Sequence, residues 1–435
     1  MNRSPDLIDY PAVRDYLFSL KHHGAKFGID RMRLLSERLG HPERAYPVVH
    51  IAGTNGKGSV AAMVDSILRQ TGLKVGLFTS PHLVRQGERI QVNREILHEN
   101  EIVAYTRELQ HVAEAMARID PEDHPSFFEF MTAMAFLHFA RARVDVGVIE
   151  VGLGGRLDAT NVVRPAVTAI TSIGLDHCEI LGDTIARIAA EKAGIIKSGI
   201  PLVLGQVPDE AEDVIRSVCL ERGSPLFPVD EHFGEHIDDY PRTNLEGDYQ
   251  RINAGTATLI CRRLTDRFEI PEAALKAGLG GVSWPGRWQR MEVGGRHLIL
   301  DAAHNVDAAA WLAANLAHLV ALNGCKPKVV VGCLGRPRAV ALLAVLAEYA
   351  AELFLVVPHQ PRATGFGELE TLVPEGFPGI VHRSNLAQLF PSPGDCSVGA
   401  PGDTVLVTGS IYLLGEVMER LHFAESPNQG MLQDG

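Results

Sequence analysis

Residues 46–59 read Tyr-Pro-Val-Val-His-Ile-Ala-Gly-Thr-Asn-Gly-Lys-Gly-Ser and combine several structural signals in one short stretch. The apolar run from Val48 to Ala52 predicts a buried strand, which is broken from Gly53 onward. Apolar residues at helical spacing follow, and Gly72 supplies a stop signal. A strand, a glycine-rich loop, a lysine, a hydroxyl and a helix in this order are typical of loops that bind nucleotide phosphates.

The chemistry of such a loop explains its composition. Backbone N–H groups at a helix N-terminus attract anions, and glycines let phosphates approach the backbone closely. Lys57 adds positive charge, and the Ser59 hydroxyl can reach a magnesium ion. The match to G-x-x-x-x-G-K-[ST] is incomplete, because Ile51 and Gly58 stand where the pattern has Gly and Ser or Thr. A turn without a ligand is the alternative, but such a turn requires neither the lysine nor closely spaced glycines.

Composition limits the remaining possibilities. The chain has 435 residues, enough for two or three domains, and its 46% hydrophobic and 22% charged content is typical of a soluble globular protein. A net charge of −12 argues against nucleic acid as the main partner. The six cysteines form no C-x-x-C pair, which favours reduced thiols in the cytoplasm. We see no signal peptide and no apolar run of roughly 20 residues, so no membrane association is expected.

Polar residues near strand ends are candidate metal ligands, because ligands bind at the carboxyl ends of parallel strands. Ser80 follows a predicted strand at 74–79, and it either binds a metal or caps the turn before the next proline. Glu150 lies near the end of a predicted strand at 144–151. A buried carboxylate is costly unless it is paired. Its partner is either magnesium beside a nucleotide or a buried arginine.

Two further features allow alternative interpretations. Lys192 lies among apolar residues, which lower the pKa of a lysine. A neutral Lys192 can react with CO₂ to give a carbamate, whereas a solvated helix end is the simpler interpretation. Phe127 and Phe128 lie on an apolar stripe that forms either core or an aromatic surface for a flat heterocycle. The adjacent His22 and His23 suggest a metal, but on a surface turn they are more often solvated.

The alternation of hydrophobic strands with helices predicts an α/β protein with parallel sheets covered on both faces. Residues 278–290, rich in glycine and tryptophan, form the best boundary. We therefore predict an N-terminal P-loop-type ATPase domain with a mostly parallel sheet at 1–290. A smaller C-terminal Rossmann-like α/β domain follows at 291–423, and residues 424–435 are expected to form a disordered tail.

Several motifs together point to one family. In order, these motifs are 50–59 (HIAGTNGKGS), 79–90 (TSPHLVRQGERI), 126–132 (SFFEFMT), 150–161 (EVGLGGRLDATN), 176–177 (DH), 191–197 (EKAGIIK), 285–289 (PGRWQ), 301–305 (DAAHN) and 409–417 (GSIYLLGEV). The chain resembles the folylpolyglutamate synthase/dihydrofolate synthase family of the Mur-ligase superfamily, bacterial bifunctional type, essentially from end to end. Single motifs are weak, but this many in one order are specific.

The resemblance implies an ATP-dependent amide ligase. ATP phosphorylates the carboxylate of a pteroate or folylglutamate, and the amino group of L-glutamate attacks the acyl phosphate to give an amide, ADP and phosphate. The implied cofactors are ATP and Mg²⁺. The implied substrates are dihydropteroate, reduced folates and L-glutamate, and the implied form is a monomer whose smaller domain closes over ATP and glutamate.

The resemblance also implies residue roles. The residues implied in phosphate binding are Gly56, Lys57, Gly58 and Ser59. Those implied in magnesium binding are Ser80, Glu150 and His177. Those implied in further contacts with ATP are Asn253, Arg287 and Asp301. The pterin region comprises Ser126, Phe127, Phe128, Glu129, Leu157, Asp158 and Ala159. Lys192 matches a carbamylated lysine, and the residues implied in catalysis are Lys57, Lys192 and His177.

The chain departs from the family pattern at two places. Arg336-Pro337-Arg338 stands where many members have Asp-Lys-Asp, which puts local phosphate or glutamate contacts in doubt. Val306 replaces a proline after the His304-Asn305 pair, a variation expected at a helix start. Two alternative functions remain open: a Mur-type ligase acting on another carboxylate, such as a cell-wall precursor, and a non-catalytic ATP-binding protein.

Overall fold

The computed structural model describes residues 7–21 and 28–423. The predictions for His22 and His23 and for the tail at 424–435 therefore lie outside the described residues. The chain divides into two compact units. The first contains the described residues up to Pro81 together with Gly87–Asn244 and Gln250–Val282. The second contains the remaining described residues from Ser283 onward and two short segments, His82–Gln86 and Leu245–Tyr249, which the sequence prediction had assigned to the N-terminal domain.

The first unit is built on one mixed sheet. Its strands are β1 Val48–Ala52, β2 Val75–Phe78, β3 Ile90–Val92, β4 Glu95–Ile96, β5 Val146–Glu150, β6 Val167–Ile170, β7 Leu202–Leu204 and β8 Leu226–Pro228. Their order in space is β4-β3-β2-β5-β1-β6-β7-β8. Strands β2, β5, β1, β6, β7 and β8 are parallel, whereas β3 and β4 are antiparallel additions at one edge. The carboxyl ends of β2, β5, β1 and β6 consequently lie side by side.

Helices pack against this sheet. They are α1 Tyr10–Lys21, α2 Asp30–Arg38, α3 Lys57–Arg69, α4 Glu99–Ala117, α5 Phe127–Ala142, α6 Cys178–Leu181, α7 Ile185–Ala193, α8 Asp209–Arg222, α9 Val229–Phe233, α10 Asp248–Arg262 and α11 Glu272–Gly280. One apolar core joins sheet residues such as Phe78 and Ile149 to α1, α4 and α5. Another joins Ile170 and Leu202 to α7 and α8. Because β1 is buried along its whole length, its sequence is a continuous apolar run rather than an alternating one.

The second unit repeats this layered arrangement on a smaller scale. Its strands are β9 Gln289–Val293, β10 Arg296–Asp301, β11 Lys328–Val331, β12 Glu352–Leu355, β13 Ile380–Arg383 and β14 Thr404–Thr408. They lie in the order β13-β12-β11-β14-β10-β9, parallel except for β9. Its helices are α12 Val306–Asn323, α13 Arg336–Tyr349, α14 Phe366–Leu372, α15 Leu386–Leu389 and α16 Ile411–His422. The predicted α/β class with mostly parallel sheets is confirmed.

Helix α12 is long and apolar enough to cross a membrane by length and composition, with a mean hydropathy of 1.2, and it is the one such helix among the described residues. Its buried residues recur at helical spacing: Ala309, Leu312, Leu316 and Leu319. They pack into a core with β11 and α13. Core helices of soluble proteins pass the same test, so this feature is weak support for a membrane span.

Candidate functional site

The glycine-rich loop connects β1 to α3 as the sequence predicts. Gly56 precedes the first helical residue, Lys57, and has the left-handed φ of 84°. A side chain at Gly56 would approach Asn253 Oδ1 to 2.5 Å, and one at Gly53 would overlap Thr171 Oγ1. The loop therefore needs glycine for contact reasons as well as for backbone conformation. Its N–H groups at the start of a helix form an arrangement suited to an anion.

The segment that follows β6 braces the loop from one side. Thr54 N–H donates to Ser172 O at 2.8 Å, and Asn55 N–H donates to Ser172 Oγ at 2.9 Å. Thr171 Oγ1 donates to Asn55 O at 2.5 Å. Gly174 N–H donates to Thr54 Oγ1 at 3.0 Å. Because these bonds tie the loop to a neighbouring parallel strand, the loop conformation is set by the sheet and not by the loop sequence alone.

Helix α10 contacts the loop from another direction. Asn253 Nδ2 donates to Gln250 Oε1 at 3.0 Å, and Gln250 Nε2 donates to Ser59 Oγ at 3.3 Å. Ser59, Gln250 and Asn253 are all buried. The structure thus brings Asn253 to the phosphate loop, and it adds Gln250, which the sequence analysis did not select.

Two lysines share one carbonyl oxygen of the loop. Lys57 Nζ donates to Gly53 O at 3.0 Å, and Lys192 Nζ donates to the same oxygen at 2.9 Å. Lys192 is only 4% exposed. Burial lowers its pKa from 10.5 to about 7, and the positive charge of Lys57 acts in the same direction, while Asp176 and Asp158 oppose the shift. Lys192 is therefore an amine with a large neutral fraction near neutral pH.

The three expected metal ligands follow the carboxyl ends of neighbouring strands. Ser80 N–H donates to Glu150 Oε2 at 3.1 Å, so these two residues are adjacent. Glu150 ends β5 and is 4% exposed. His177 precedes α6 in the left-handed conformation, with φ 51°, and its N–H donates to Asp176 Oδ1 at 2.9 Å. No group of three or more His, Cys, Asp or Glu that could hold a metal occurs within the described ranges.

This donor set nevertheless suits one class of cation. Ser80 and Glu150 are adjacent and offer a hydroxyl and a carboxylate, and Glu150 lies opposite Ile51 of β1, the strand that leads into the phosphate loop. His177 follows β6 of the same sheet and carries the imidazole. Magnesium is commonly held by one or two carboxylates together with substrate phosphates and water, rather than by a protein cage. The residues therefore fit a divalent cation that arrives with a nucleotide.

The glycine-rich loop after β5 is organised by Asp158. Its Oδ2 accepts the Leu153 N–H at 2.9 Å, and its Oδ1 accepts the Thr160 N–H at 3.0 Å and the Thr160 hydroxyl at 2.5 Å. Burial raises the pKa of Asp158, and these hydrogen bonds oppose the increase. Leu157 is half-buried and Ala159 is buried. Among these three of the seven residues expected at the pterin region, Asp158 thus has a defined role in holding the loop.

His50 connects the two glycine-rich loops. It lies in β1 and is fully buried, and its Nε2 lies 2.9 Å from Thr160 Oγ1. Because Thr160 gives its proton to Asp158, its oxygen accepts from His50. Burial lowers the pKa of His50 to about 3, with the charge of Lys197 acting in the same direction, so the imidazole is neutral. The sequence signal was a histidine inside an apolar strand directly before the phosphate loop.

Ser126 and Glu129 form a capping box at the start of α5. Ser126 N–H donates to Glu129 Oε2 at 2.7 Å, and Glu129 N–H donates to Ser126 Oγ at 3.4 Å. Arg31 Nε donates to Glu129 Oε2 at 3.1 Å. These hydrogen bonds satisfy backbone groups that the helix start leaves open. Both side chains are thus engaged in structure, whatever else they contact.

The two neighbouring phenylalanines have different environments. Phe127 is 5% exposed, and the Arg89 guanidinium lies over its ring at 5.4 Å from the centroid. Phe128 is half-buried, with its ring 6.0 Å from that of Phe78. The Phe128 ring also lies against Gly152, where any side chain would overlap it. Phe127 therefore belongs to the core, and Phe128 borders the glycine-rich loop that follows β5.

Arg287 and Asp301 belong to the second unit, which is described by itself. Asp301 ends β10, and its carboxylate accepts the N–H groups of Trp288 and Ala303, each at 3.0 Å. Burial raises its pKa, and the Arg287 charge opposes this effect. The two expected residues are therefore electrostatic neighbours within one folded motif.

The two departures from the family pattern also lie in the second unit. Asn305 Oδ1 accepts the Ala308 N–H at 2.9 Å and caps α12, so Val306 is the first helical residue. Arg336 begins α13 and pairs with Glu368 at 3.3 Å, with side chains 62% and 42% exposed. Such an exposed pair contributes little to stability.

Comparisons with known proteins identify the family. The Mur ligase middle domain matches residues 51–203. A dihydrofolate synthase/folylpolyglutamate synthase from Bacillus subtilis is 34% identical over 440 residues, covering 95% of this chain and 99% of that protein. The chain belongs to the dihydrofolate synthase/folylpolyglutamate synthase family. The resemblance inferred from the motifs is confirmed.

Solved structures of family members agree with this assignment. A folylpolyglutamate synthase from Thermotoga maritima superimposes with a TM-score of 0.82 at 32% identity, covering 97% of this chain and 99% of that one. A bifunctional folylpolyglutamate synthase/dihydrofolate synthase from Yersinia pestis, complexed with AMPPNP and a Mn ion, gives 0.79 at 30% identity, covering 97% of this chain and all (100%) of that one. The two-unit α/β fold is thus that of the family.

Within this family member, the first unit brings most predicted site residues to one edge of its sheet. Lys192 is hydrogen-bonded to the phosphate loop, Asn253 is linked to it through Gln250, and Ser80 is joined to Glu150. The residues that sequence reasoning missed are supports of these groups: His50, Thr171 and Gln250. The partners of Thr171 and Gln250 are distant in sequence, so no local pattern marks these two residues, whereas His50 is visible as a histidine inside an apolar strand.

Proposed function

We propose that this protein joins L-glutamate to the carboxylate of a pterin-bearing acid, with ATP consumed to ADP and phosphate through an acyl phosphate. The observation that carries the proposal is the loop between β1 and α3. There, Gly56 adopts a left-handed conformation directly before α3, and Lys57 Nζ lies against the loop carbonyl oxygens of Gly53 and Thr54. The proposed acceptors are dihydropteroate and reduced folates, since the relatives from Bacillus subtilis and Yersinia pestis are named for both synthase activities.

Phosphoryl transfer depends mainly on positioning and charge neutralisation. In the proposal, the N–H groups of Gly56, Gly58 and Ser59 bind phosphate oxygens. Lys57 exchanges its bond with Gly53 O for the terminal phosphate. The rigid bracing by Thr171 supports this assignment, because preorganised donors need not reorganise during the reaction.

We assign a Mg²⁺ ion to Ser80, Glu150 and His177. The Mn ion named for the Yersinia pestis complex supports a divalent metal. When bound, the ion would neutralise charge on the phosphates and on the carboxylate that attacks the terminal phosphorus. Glu150 supplies the negative charge, and its burial beside Ser80 keeps the carboxylate oriented.

We assign a carbamate to Lys192. The neutral amine attacks the carbon of CO₂, a new N–C bond forms, and the nitrogen loses a proton to water, which leaves an anionic oxygen pair. Burial supports the first step because it favours the neutral amine. The nearby charge of Lys57 supports the product, because it stabilises an anion.

The pterin is assigned to the surface formed by Phe128, Leu157 and the glycine loop. Phe128 offers a half-buried aromatic ring beside Gly152. Asp158 and His50 hold this loop in place through their hydrogen bonds with Leu153 and Thr160. Ser126, Phe127, Glu129 and Ala159 then shape this region without exposing much surface themselves.

The remaining assignments concern the whole chain. Arg287 and Asp301 are proposed to contact ATP from the second unit, to which we assign a role in nucleotide and glutamate binding. A cytoplasmic monomer is proposed as well. The six cysteines are free thiols, as a reducing compartment requires. Light scattering during size-exclusion chromatography tests the oligomeric state.

The decisive experiment is a ligation assay with purified protein, ATP, Mg²⁺ and labelled glutamate. Dihydropteroate and tetrahydrofolate are supplied separately, and labelled product and phosphate are measured together. Incorporation with both acceptors is expected. Incorporation with one acceptor restricts the protein to a single synthase activity, and ATP binding without glutamate-dependent phosphate release refutes the proposal.

A further inference from the structure

The side chain of Gln250 contacts the hydroxyl group of Ser59 in the phosphate loop. It is fully buried on α10. Its Nε2 donates to Ser59 Oγ at 3.3 Å. Ser59 is in the first turn of α3 and is 1% exposed. A buried amide that bonds this hydroxyl controls where the hydroxyl proton points.

The direction of the bond is set by a second amide. Asn253 Nδ2 donates to Gln250 Oε1 at 3.0 Å, which leaves Gln250 Nε2 as the group that faces Ser59. If the Gln250 amide were reversed, two N–H groups would oppose each other, so the reversed orientation is disfavoured. Asn253 Oδ1 in turn lies against Gly56. The hydrogen bonds therefore run in one direction, from the Asn253 amide to the Gln250 amide and from there to the Ser59 hydroxyl.

The consequence for Ser59 follows from the capacity of a hydroxyl group. A serine hydroxyl has one proton to donate and two lone pairs. Gln250 occupies one lone pair and leaves the proton and the other lone pair available. We propose that Gln250 is a positioning residue that keeps the Ser59 hydroxyl proton directed at the nucleotide phosphate. This inference rests on the proposed function, which places the nucleotide phosphate at this loop.

Two substitutions separate hydrogen-bond direction from packing. Gln250→Glu keeps the shape but replaces the donor by a carboxylate, which accepts the Ser59 proton and withdraws it from the phosphate. Gln250→Met keeps the bulk and removes the hydrogen bond. Both are expected to lower kcat by about 10- to 100-fold, the scale of one hydrogen bond to a charged group, with little change in the KM for glutamate.

The pH profile gives a signature that a packing role does not produce. A protonated carboxylic acid regains one O–H donor, so the activity of Gln250→Glu relative to wild type is expected to rise as the pH falls. Gln250→Met has no titrating group and is expected to show the wild-type profile at reduced activity. Gln110→Glu is the matched control, because Gln110 is a buried glutamine on α4. Its profile is expected to match wild type.

A double-mutant cycle with Ser59→Ala completes the test. If Gln250 acts through the hydroxyl, Gln250→Glu has no further effect in the Ser59→Ala background. Titration of fluorescent ADP with and without Mg²⁺ measures the same coupling without ligation, so it is informative even if no acceptor is used. Wild-type kcat and ADP affinity in Gln250→Met overturn the inference, as does full additivity in the cycle or the same pH signature in Gln110→Glu.

Discussion

Replacement of Lys192 by glutamine is expected to remove a carbamate and, with it, ligase activity. Lys192 is buried at the end of α7 and donates to Gly53 O of the phosphate loop at 2.9 Å. Glutamine retains an N–H donor of similar reach but has no nucleophilic amine. The substitution therefore tests the chemistry of the amine with limited change to the loop.

The magnitude follows from the pKa. Burial, with the charge of Lys57 acting in the same direction, lowers the pKa of Lys192 from 10.5 to about 7. At pH 7 about half of the amine is then neutral, compared with roughly one part in several thousand for an ordinary lysine. Only the neutral amine reacts with CO₂, so carbamate formation is favoured by about three orders of magnitude. At constant dissolved CO₂ and below the pKa, the rate of carbamate formation should fall about tenfold for each pH unit, because the neutral amine becomes scarcer. The equilibrium amount should fall about a hundredfold for each pH unit, because the reaction also releases a proton.

The assay is ¹³C NMR of the protein equilibrated with labelled bicarbonate. We expect one carbamate resonance in wild type and none in Lys192→Gln. Lys197→Gln is the matched control, because Lys197 also has a lowered pKa, about 8, but bonds to Asn161 instead of the phosphate loop. The resonance should persist in that variant. Lys192→Ala should lose ligation and regain part of it with short-chain carboxylates.

Two results would refute this reasoning. The first is the absence of a carbamate resonance in wild type at saturating bicarbonate between pH 7 and 8. The second is a resonance of wild-type intensity in Lys192→Gln, which assigns the modification to another amine. Full ligation by Lys192→Gln would remove the residue from the mechanism altogether.

Four further substitutions test the other parts of the site. Lys57→Ala should abolish ligation, because the transition state loses several kcal/mol of stabilisation, while the circular dichroism spectrum stays unchanged. Near-normal turnover would exclude Lys57 from the mechanism. Phe128→Ala should raise the KM for the pterin acceptor more than that for glutamate, whereas Phe127→Ala should cost about 3–5 kcal/mol of unfolding free energy in urea titrations. Asp301→Asn should weaken ATP binding in calorimetry, because an amide cannot replace a carboxylate that accepts two N–H groups; unchanged affinity would contradict the assignment.

Strands in the interior of the sheets were predictable from the sequence because burial requires apolar residues along them. Strand β1 was expected at Val48–Ala52 and has these bounds. It is buried along its whole length, so its sequence is an apolar run interrupted only by His50. Strands β4 and β13 were missed: β4 has only two residues, and β13, at an edge of its sheet, is largely exposed. Short, exposed edge strands give no such apolar run.

Some residues of the site are contiguous in the sequence and could be predicted, whereas others are partners that lie far apart in the sequence and could not. Glycines, lysine and hydroxyl of the phosphate loop are contiguous, so their pattern is visible in the sequence. Gln250, which bonds Ser59, lies 191 residues after it in the sequence, and Thr160, which bonds His50, lies 110 residues after it. Such pairings arise from the strand order, with β5 and β6 flanking β1. A single sequence does not encode this order in any local motif.

Gly53 combines these contributions at one residue. Its carbonyl oxygen accepts both lysine ammonium groups, and the space for a side chain is occupied by Thr171. Its φ of 155° adds a backbone preference for glycine. Any side chain at this position must displace Thr171, which holds Asn55, and the shift would move the carbonyl away from Lys57 and Lys192. The position therefore couples loop shape to the placement of both lysine side chains, which explains why glycine is required there independently of any contact with phosphate.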